Sequence, residues 1–405
     1  MSTSQPQSVP LLDLRAQYAP LRAEIDAVLK FTFDNTVFVL GKSVEDFENA
    51  IASWLGADHA IGCASGGDAL LLLLMAHDIG PGDDVICPTF TFFATGGTIA
   101  RTGARPIFCD IDPATYNIDV PSLERALERC NNLKAIMPVH LYGQAADNDA
   151  IATFARTHNA VVLEDAAQAI GTCDRNGRRI GSQPHMQGWS FYPTKNLGAA
   201  GDAGLVTVTG DSDLAEKIRR LRVHGGKDRY YHDMIGLNSR LDALQAAVLS
   251  VKLPHLDTWN AQRQAHAAYY DERFAEAGAL ASDVSLDVEP GNALPLRYPY
   301  YAGARQHHIY HQYIVRVPVA LRPQLREYLR DAGVGNEVFY PLPLHQQECF
   351  AYLEPQPHMC PHAEQAAREV LALPIYPELR EEQLKRVADC VVTFCEQHRA
   401  VGSHA

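Results

Sequence analysis

The sequence predicts an α/β protein: a large domain on a mostly parallel, seven-stranded sheet flanked by helices, followed by a smaller C-terminal α+β domain. Three observations carry this. Short apolar runs alternate with helical patterns for well over a hundred residues, which implies a parallel sheet covered on both faces. Glycines and acidic residues follow several of these runs directly, where ligands gather in such sheets. After a long helical stretch broken at Pro254, the pattern changes to a mixture of strands and helices.

The elements follow in order. Leu11 to Asn35 reads as a helical N-terminal arm, and Val44 to Leu55 as a helix with Ser43 as cap and Gly56 as stop. Strands are predicted at Ala60–Cys63, Val85–Cys87, Pro106–Cys109, Ala135–Pro138, Ala160–Leu163, Trp189–Phe191 and Leu205–Val208. Helices fall between them at Asp68–His77, Phe93–Arg101, Pro121–Arg129 and Asp149–Thr157. A helix at Leu214–Val223 leads to a glycine-containing loop, then a helical pattern runs from Ser239 to Glu276. Pro290–Tyr301 reads as a loop, His311–Val317 and Val334–Tyr340 as strands, Leu321–Ala332 and Glu381–His398 as helices. The domains are placed at residues 1–252 and 253–405.

Composition narrows the class. A formal charge of -13 argues against a nucleic-acid or acidic-membrane binder, though not against an anionic small substrate. Nine cysteines without a regular framework read as buried thiols in a reducing compartment. Met1–Pro10 is polar and unlike a signal peptide, and no apolar run is long enough to span a bilayer. A cytoplasmic protein is expected.

The chemistry centres on S-F-Y-P-T-K-N-L-G, which holds Lys195 between a short apolar strand and a glycine-rich turn. A lysine poorly solvated at a strand end becomes a usable nucleophile near neutral pH, although many such lysines simply reach water. Glu164 and Asp165 follow another buried strand; they suit either helix capping or, for Asp165, pairing with a cationic ring nitrogen. C-A-S-G-G-D-A-L places Gly66 and Gly67 between strand and helix, a backbone N–H site for an anion or only a turn. It is neither a dinucleotide fingerprint nor a P-loop. P-T-F-T-F-F-A-T sets Phe90, Phe92 and Phe93 beyond a strand, as core or as a platform for a flat ring.

Together with E-D-A-A-Q-A and G-L-N-S-R-L-D-A-L-Q-A-A, these motifs, in this order, resemble the DegT/DnrJ/EryC1/StrS family of sugar aminotransferases. The resemblance runs from Leu11 to Leu373 and implies fold type I, the aspartate aminotransferase-like fold, with pyridoxal 5'-phosphate as cofactor. It implies that Lys195 carries the cofactor covalently and shuttles a proton, that Asp165 pairs with the pyridine nitrogen, and that Gln168 bonds its phenolic oxygen. Phe92 would stack on the ring. Gly66, Gly67 and Ser190 would hold the phosphate, joined by Asn238 from a second subunit, so a homodimer with shared sites is implied. Position 67 is usually threonine in relatives, so Gly67 removes a hydroxyl contact. Arg240 and Tyr340 match positions that face the sugar substrate in relatives, and His345 in Y-P-L-P-L-H is a further candidate; all three are weaker matches than the cofactor contacts. The implied substrates are a nucleotide-linked ketosugar and an amino acid, L-glutamate by analogy. A dehydratase on the same scaffold would carry histidine in place of Lys195; a sensor that keeps the fold without turnover is the other alternative.

Two clusters remain. Lys217, Arg219, Arg220, Arg222, Lys227 and Arg229 could attract a diphosphate or form a solvated face. His345, Cys349, His358, Cys360 and His362 fit no zinc spacing, and no metal is expected.

Overall fold

The computed structural model describes residues 8–228, 230–282 and 293–399. Helix α1 (Leu14–Asn35) starts at Asp13, whose carboxylate accepts the backbone N–H groups of Arg15 and Ala16. Helix α2 (Lys42–Leu55) buries Val44, Phe47, Ile51 and Leu55 at helical spacing and stops at Gly56, where φ is 78°. Its cap is Gly41 rather than Ser43, because the chain turns there at φ 80° and the Gly41 carbonyl accepts from both Val44 and Glu45. Ser43 therefore lies inside the first turn.

The large domain then alternates β1 (His59–Cys63), α3 (Gly66–Ala76), β2 (Asp84–Pro88), α4 (Phe93–Arg101), β3 (Arg105–Cys109), α5 (Val120–Leu127), β4 (Leu133–Ile136), α6 (Asn148–Thr157), β5 (Val161–Asp165), β6 (Met186–Ser190) and β7 (Gly204–Val208). The seven strands form one sheet in the order β1-β7-β6-β5-β4-β2-β3. Only β7 runs against its neighbours. Because β7 is reversed, its first residue lies at the same sheet edge as the last residues of β1, β5 and β6. Gly204 pairs with both Cys63 and Ser190, and Gly188 pairs with Asp165. Helix α3 can be apolar nearly throughout, with Leu70 to Leu74 all buried, because it packs beneath this edge against β6 and β7 as well as α4.

Helix α7 (Ser212–Leu221), capped by Asp211, leads to a hairpin of β8 (Gly226–Asp228) and β9 (Tyr231–His232). Helix α8 (Ala243–Lys252) carries α1, with Leu21 and Ile25 of α1 packed against Val248 and against Trp259 further along, so the arm packs onto the body. A 3-10 turn at Pro254 passes the chain into α9 (Leu256–Glu276).

The smaller C-terminal domain has a four-stranded sheet, β10 (Leu280–Ala281), β11 (Arg297–Tyr298), β12 (Tyr313–Arg316) and β13 (Val370–Leu373), in that order across the sheet. Helices α10 (Arg322–Asp331), α11 (Pro361–Glu369) and α12 (Glu381–Gln397) cover it. Three details depart from the sequence reading. Val334–Tyr340 is not a strand; among the described residues it makes only single bridges, Val334 to Val9 and Glu337 to Ala372. The loop expected at Pro290–Tyr301 contains β11, and its residues 290–292 lie outside those described. The N-terminal stretch also joins the C-terminal domain: Val9 donates to Gly333 and accepts from Gly335, and is wholly buried in that domain's core.

Candidate active site

Lys195 sits in the tight turn after β6. Its backbone N–H donates to Tyr192 at 2.8 Å, and a Cβ at Gly198 would fall 2.3 Å from the Pro193 carbonyl, so only glycine closes this turn. Asn196 fixes the turn by donating to Asn260 Oδ1 at 2.8 Å and to the Ile309 carbonyl, and Lys252 donates to the Gly198 carbonyl at 2.6 Å. The Lys195 side chain is half-buried and, among the described residues, forms no hydrogen bond or ion pair. Burial lowers its pKa to about 8 against the opposing pull of the Asp165 charge. An amine so placed is partly neutral, and therefore nucleophilic, near physiological pH.

Asp165 closes β5 and is 4% exposed. Burial pushes its carboxyl pKa up; the Thr95 hydroxyl, the Ala167 N–H and the charges of Lys195 and His140 hold it down. Thr95 Oγ1 donates to Oδ2 at 2.7 Å and Ala167 N–H to Oδ1 at 3.2 Å. Beneath it, His140 shares 3.0 Å with Glu164, which also accepts from Asn148 and Gln187. Glu164 thus points inward, away from Asp165, into a buried network of His140, Asn148 and Gln187, as side chains on a strand alternate.

Gln168 is locked at both ends of its amide. Its carbonyl accepts Tyr142 N–H at 2.8 Å, and its NH2 donates to the Tyr340 hydroxyl at 2.9 Å. Tyr142 also donates through its hydroxyl to the Phe339 carbonyl, so one residue braces Gln168 and the Tyr340 segment together. Phe92, at the cap of α4, leaves 60% of its surface exposed, with its ring centroid 6.2 Å from that of Tyr340. Phe90 is wholly buried, and the half-exposed Phe93 packs on Phe350.

The cradle forms where three chain segments meet. Ser65 caps α3 by accepting Asp68 N–H at 3.1 Å; the Gly66 and Gly67 N–H groups have no protein acceptor among the described residues. A Cβ at Gly66 would fall 2.6 Å from Ser190 Cβ, and one at Gly204 would fall 2.2 Å from the Ser65 carbonyl. At Gly67 the nearest atoms would be 3.8 Å away, so that position alone has room. Free N–H groups at the positive end of an eleven-residue helix, beside a serine hydroxyl, are built for an anion such as a phosphate. Asn238 is exposed and, among the described residues, its amide has no partner within the chain.

The other predicted residues divide. Arg240 is half-buried, with no ion pair or hydrogen bond among the described residues, and so remains available to an anion. His345 does not: it is 3% exposed, with Nδ1 2.7 Å from the Thr89 hydroxyl and Nε2 3.3 Å from Glu364. Both ring nitrogens are engaged inside the protein, so neither points into the open site in this structure. Glu364 bridges to His358 as well. The basic string is largely spent on internal pairs: Lys217 with Asp78, Arg219 with Glu216, Arg220 with Asp233, and Arg222 with Glu48. Its member Arg229 lies outside the described residues. Thr95 and Tyr142 escaped the sequence reading. The three-residue spacing of Thr95 from Phe92 at a helix start was the available signal for the first; nothing local marks Tyr142, whose backbone is left-handed at φ 60°.

These groups fit pyridoxal phosphate on the molecule's own features: an open anion cradle, an unpartnered lysine of lowered pKa, an exposed aromatic face and a buried carboxylate, all at one sheet edge. The comparisons agree. A model of the DegT/DnrJ/EryC1/StrS aminotransferase family matches residues 20–392. The chain is 48% identical over 387 residues to a pleiotropic regulatory protein of Geobacillus stearothermophilus, covering 96% of this chain and 98% of that one. It is 42% identical over 388 residues to the UDP-N-acetyl-3-dehydro-alpha-D-glucosamine 3-aminotransferase of Acidithiobacillus ferrooxidans, again covering 96% and 98%. Among solved structures, S. venezuelae DesV in complex with a ketimine intermediate superposes with a TM-score of 0.88 at 40% identity, covering 96% of this chain and 99% of that one.

Proposed function

Because the chain belongs to the DegT/DnrJ/EryC1/StrS aminotransferase family, we propose which amino group it moves and where. The chain is a pyridoxal-phosphate-dependent nucleotide-sugar aminotransferase. Its acceptor, on our reading, is the C3 ketone of a nucleotide-linked hexose, in line with the 3-amino chemistry named for the Acidithiobacillus relative. Its donor is an amino acid, L-glutamate by family pattern. The observation that carries the reading is Lys195: an unpartnered amine with a pKa of about 8, at the edge shared by Asp165 and the cradle.

Bound pyridoxal phosphate supplies an electron sink for the negative charge left when a proton is taken from the substrate carbon. The rest falls to the chain. Gly66, Gly67 and Ser190 hold the phosphate, Phe92 covers the ring, and Asp165 keeps a positive charge on the ring nitrogen. Gln168 offers its remaining amide N–H to the phenolic oxygen. With the cofactor bound, the Lys195 amine would take the proton from the substrate carbon as a base and return it as an acid. A pKa of about 8 suits both directions. Arg240 and Tyr340 face the sugar nucleotide in this account; His345 does not.

We also infer a homodimer in which Asn238 completes the neighbouring cradle. Its unpartnered amide and the exposed Phe31, Phe33 and Ile235 (64%, 59% and 91%) support this. The division into residues 1–252 and 253–405 is proposed on the same footing, from the break at Pro254. A cytoplasmic location is supported by nine cysteines that are all free, four of the strand and helix ones wholly buried. Among the described residues, no helix is long and apolar enough to cross a membrane.

The regulatory relative favours a second reading, a sensor that binds without turnover. Protein loaded with pyridoxal phosphate separates the two: glutamate should convert its visible absorbance to that of the pyridoxamine form, and a UDP- or dTDP-linked 3-ketosugar should restore it. A visible band that no amino donor shifts would sink the aminotransferase reading and leave the sensor.

A further inference from the structure

We propose that Thr95 is a positioning residue for the reaction, holding Asp165 through a directed relay of hydroxyls that begins at Thr91. The inference rests on the reading above that Asp165 meets a ring nitrogen. Thr91, Thr95 and Asp165 are 3%, 0% and 4% exposed, so water does not compete for their hydrogen bonds. Thr91 Oγ1 lies 3.1 Å from Thr95 Oγ1, and Thr95 Oγ1 lies 2.7 Å from Asp165 Oδ2. A hydroxyl has one proton, and an ionised carboxylate can only accept. The Thr95 proton therefore goes to Asp165, and Thr91 must donate to Thr95. The direction of both bonds is fixed by the charge at the end of the chain.

With Ala167 N–H on the other oxygen, both carboxylate oxygens are pinned and the plane of the acid is set. Burial pushes the carboxyl pKa up, and of the influences that oppose it the Thr95 bond is the largest. The relay also ties the acid to the ring platform. Thr95 N–H donates to the Phe92 carbonyl at 3.3 Å within the first turn of α4, so the residues that carry the exposed ring and the hydroxyl share one helical turn. This accounts for the threonines of P-T-F-T-F-F-A-T that the cofactor contacts leave unused; Thr89, the remaining one before Thr95, serves His345 instead.

The test compares how tightly the full-length dimer or monomer, as purified, retains pyridoxal phosphate and its 1-deaza analogue, which has carbon in place of the ring nitrogen. Wild type should prefer pyridoxal phosphate. Thr95→Val should lose ~10-fold or more of that preference while its affinity for the deaza analogue stays put, because a buried charged hydrogen bond is lost only toward the nitrogen. Thr95→Ser, which keeps the hydroxyl, should match wild type. Thr91→Val, which leaves Thr95 in place, should show a smaller loss of ~3-fold, and it carries the test if Thr95→Val does not fold. Equal loosening of both ligands, or an unchanged preference in both valine variants, would overturn the relay. A wild type indifferent to the ring nitrogen would instead overturn the pairing assigned to Asp165.

Discussion

Asp165 and the Gly66–Gly67 turn stand at one edge of the same sheet, yet the chain treats them in opposite ways. At Asp165 each oxygen has its donor, the supporting histidine and glutamate are satisfied in turn, and almost no surface is exposed. At the glycine turn the donors are made and left open, with a serine hydroxyl beside them. A fixed charge in a buried place must be stabilised by the protein before any guest arrives, since an uncompensated one would be neutralised. An anion site can wait, because its backbone donors face water until the guest replaces it. Lys195 lies between the two regimes, held by its backbone and free at its amine.

The comparison can be broken most severely at that lysine. Lys195→Ala should lower the transamination rate by roughly 10⁴-fold, the scale of a lost acid–base group, with secondary structure by circular dichroism unchanged. Asp165→Asn tests the closed region. It keeps the shape and removes the charge, and kcat should fall by ~10²-fold or more while the phosphate contacts still retain the cofactor.

The open region should respond in affinity rather than rate. Gly204→Ala would force a methyl group to 2.2 Å from the Ser65 carbonyl, so denaturant unfolding should show a loss of roughly 2–3 kcal/mol and the cofactor should dissociate more readily. Gly67→Thr is the opposite case. The space is there, the added hydroxyl can reach the anion, and cofactor affinity should improve by up to ~1 kcal/mol in a direct titration.

The smallest effect sharpens the contrast through pH. Lys195 and Lys252 both titrate at about 8 in the folded chain, below lysine's ordinary 10.5, chiefly because of burial. Between those values the unfolded chain binds more protons than the folded one, so apoprotein stability should rise with pH across that window. Below about 8 both states are protonated and the two lysines contribute no slope. Denaturant midpoints on either side of that value should show the rise in wild type and a shallower one in Lys252→Met. An equal rise in the variant would mean that Lys252 is not among the groups responsible.

Much of the closed region was legible in the sequence because it is written locally. Val161–Leu163 announces a buried strand, and the acid that follows can only lie at its end. Lys195 was legible for the same reason, from its glycines and the proline before it. What escaped depends on partners distant in the chain. His345 looked like a spare histidine in a proline-rich loop, but Thr89 and Glu364 claim its nitrogens. Val334–Tyr340 has strand-like composition, yet among the described residues its backbone finds only single bridges to Val9 and Ala372. The two-residue strands β10 and β11 carry too little pattern to stand out, and Ser43 lost the capping position to a glycine whose φ no side chain would favour.

The pairing of Val9 with the Gly333–Gly335 segment has a consequence for synthesis of the chain. Val9 has no partner until the Gly333–Gly335 segment, more than 300 residues further along the chain, has also been made. The C-terminal domain therefore cannot complete its core from its own residues alone; the stretch of chain around Val9 has to return to it, as a clasp across the two ends of the fold.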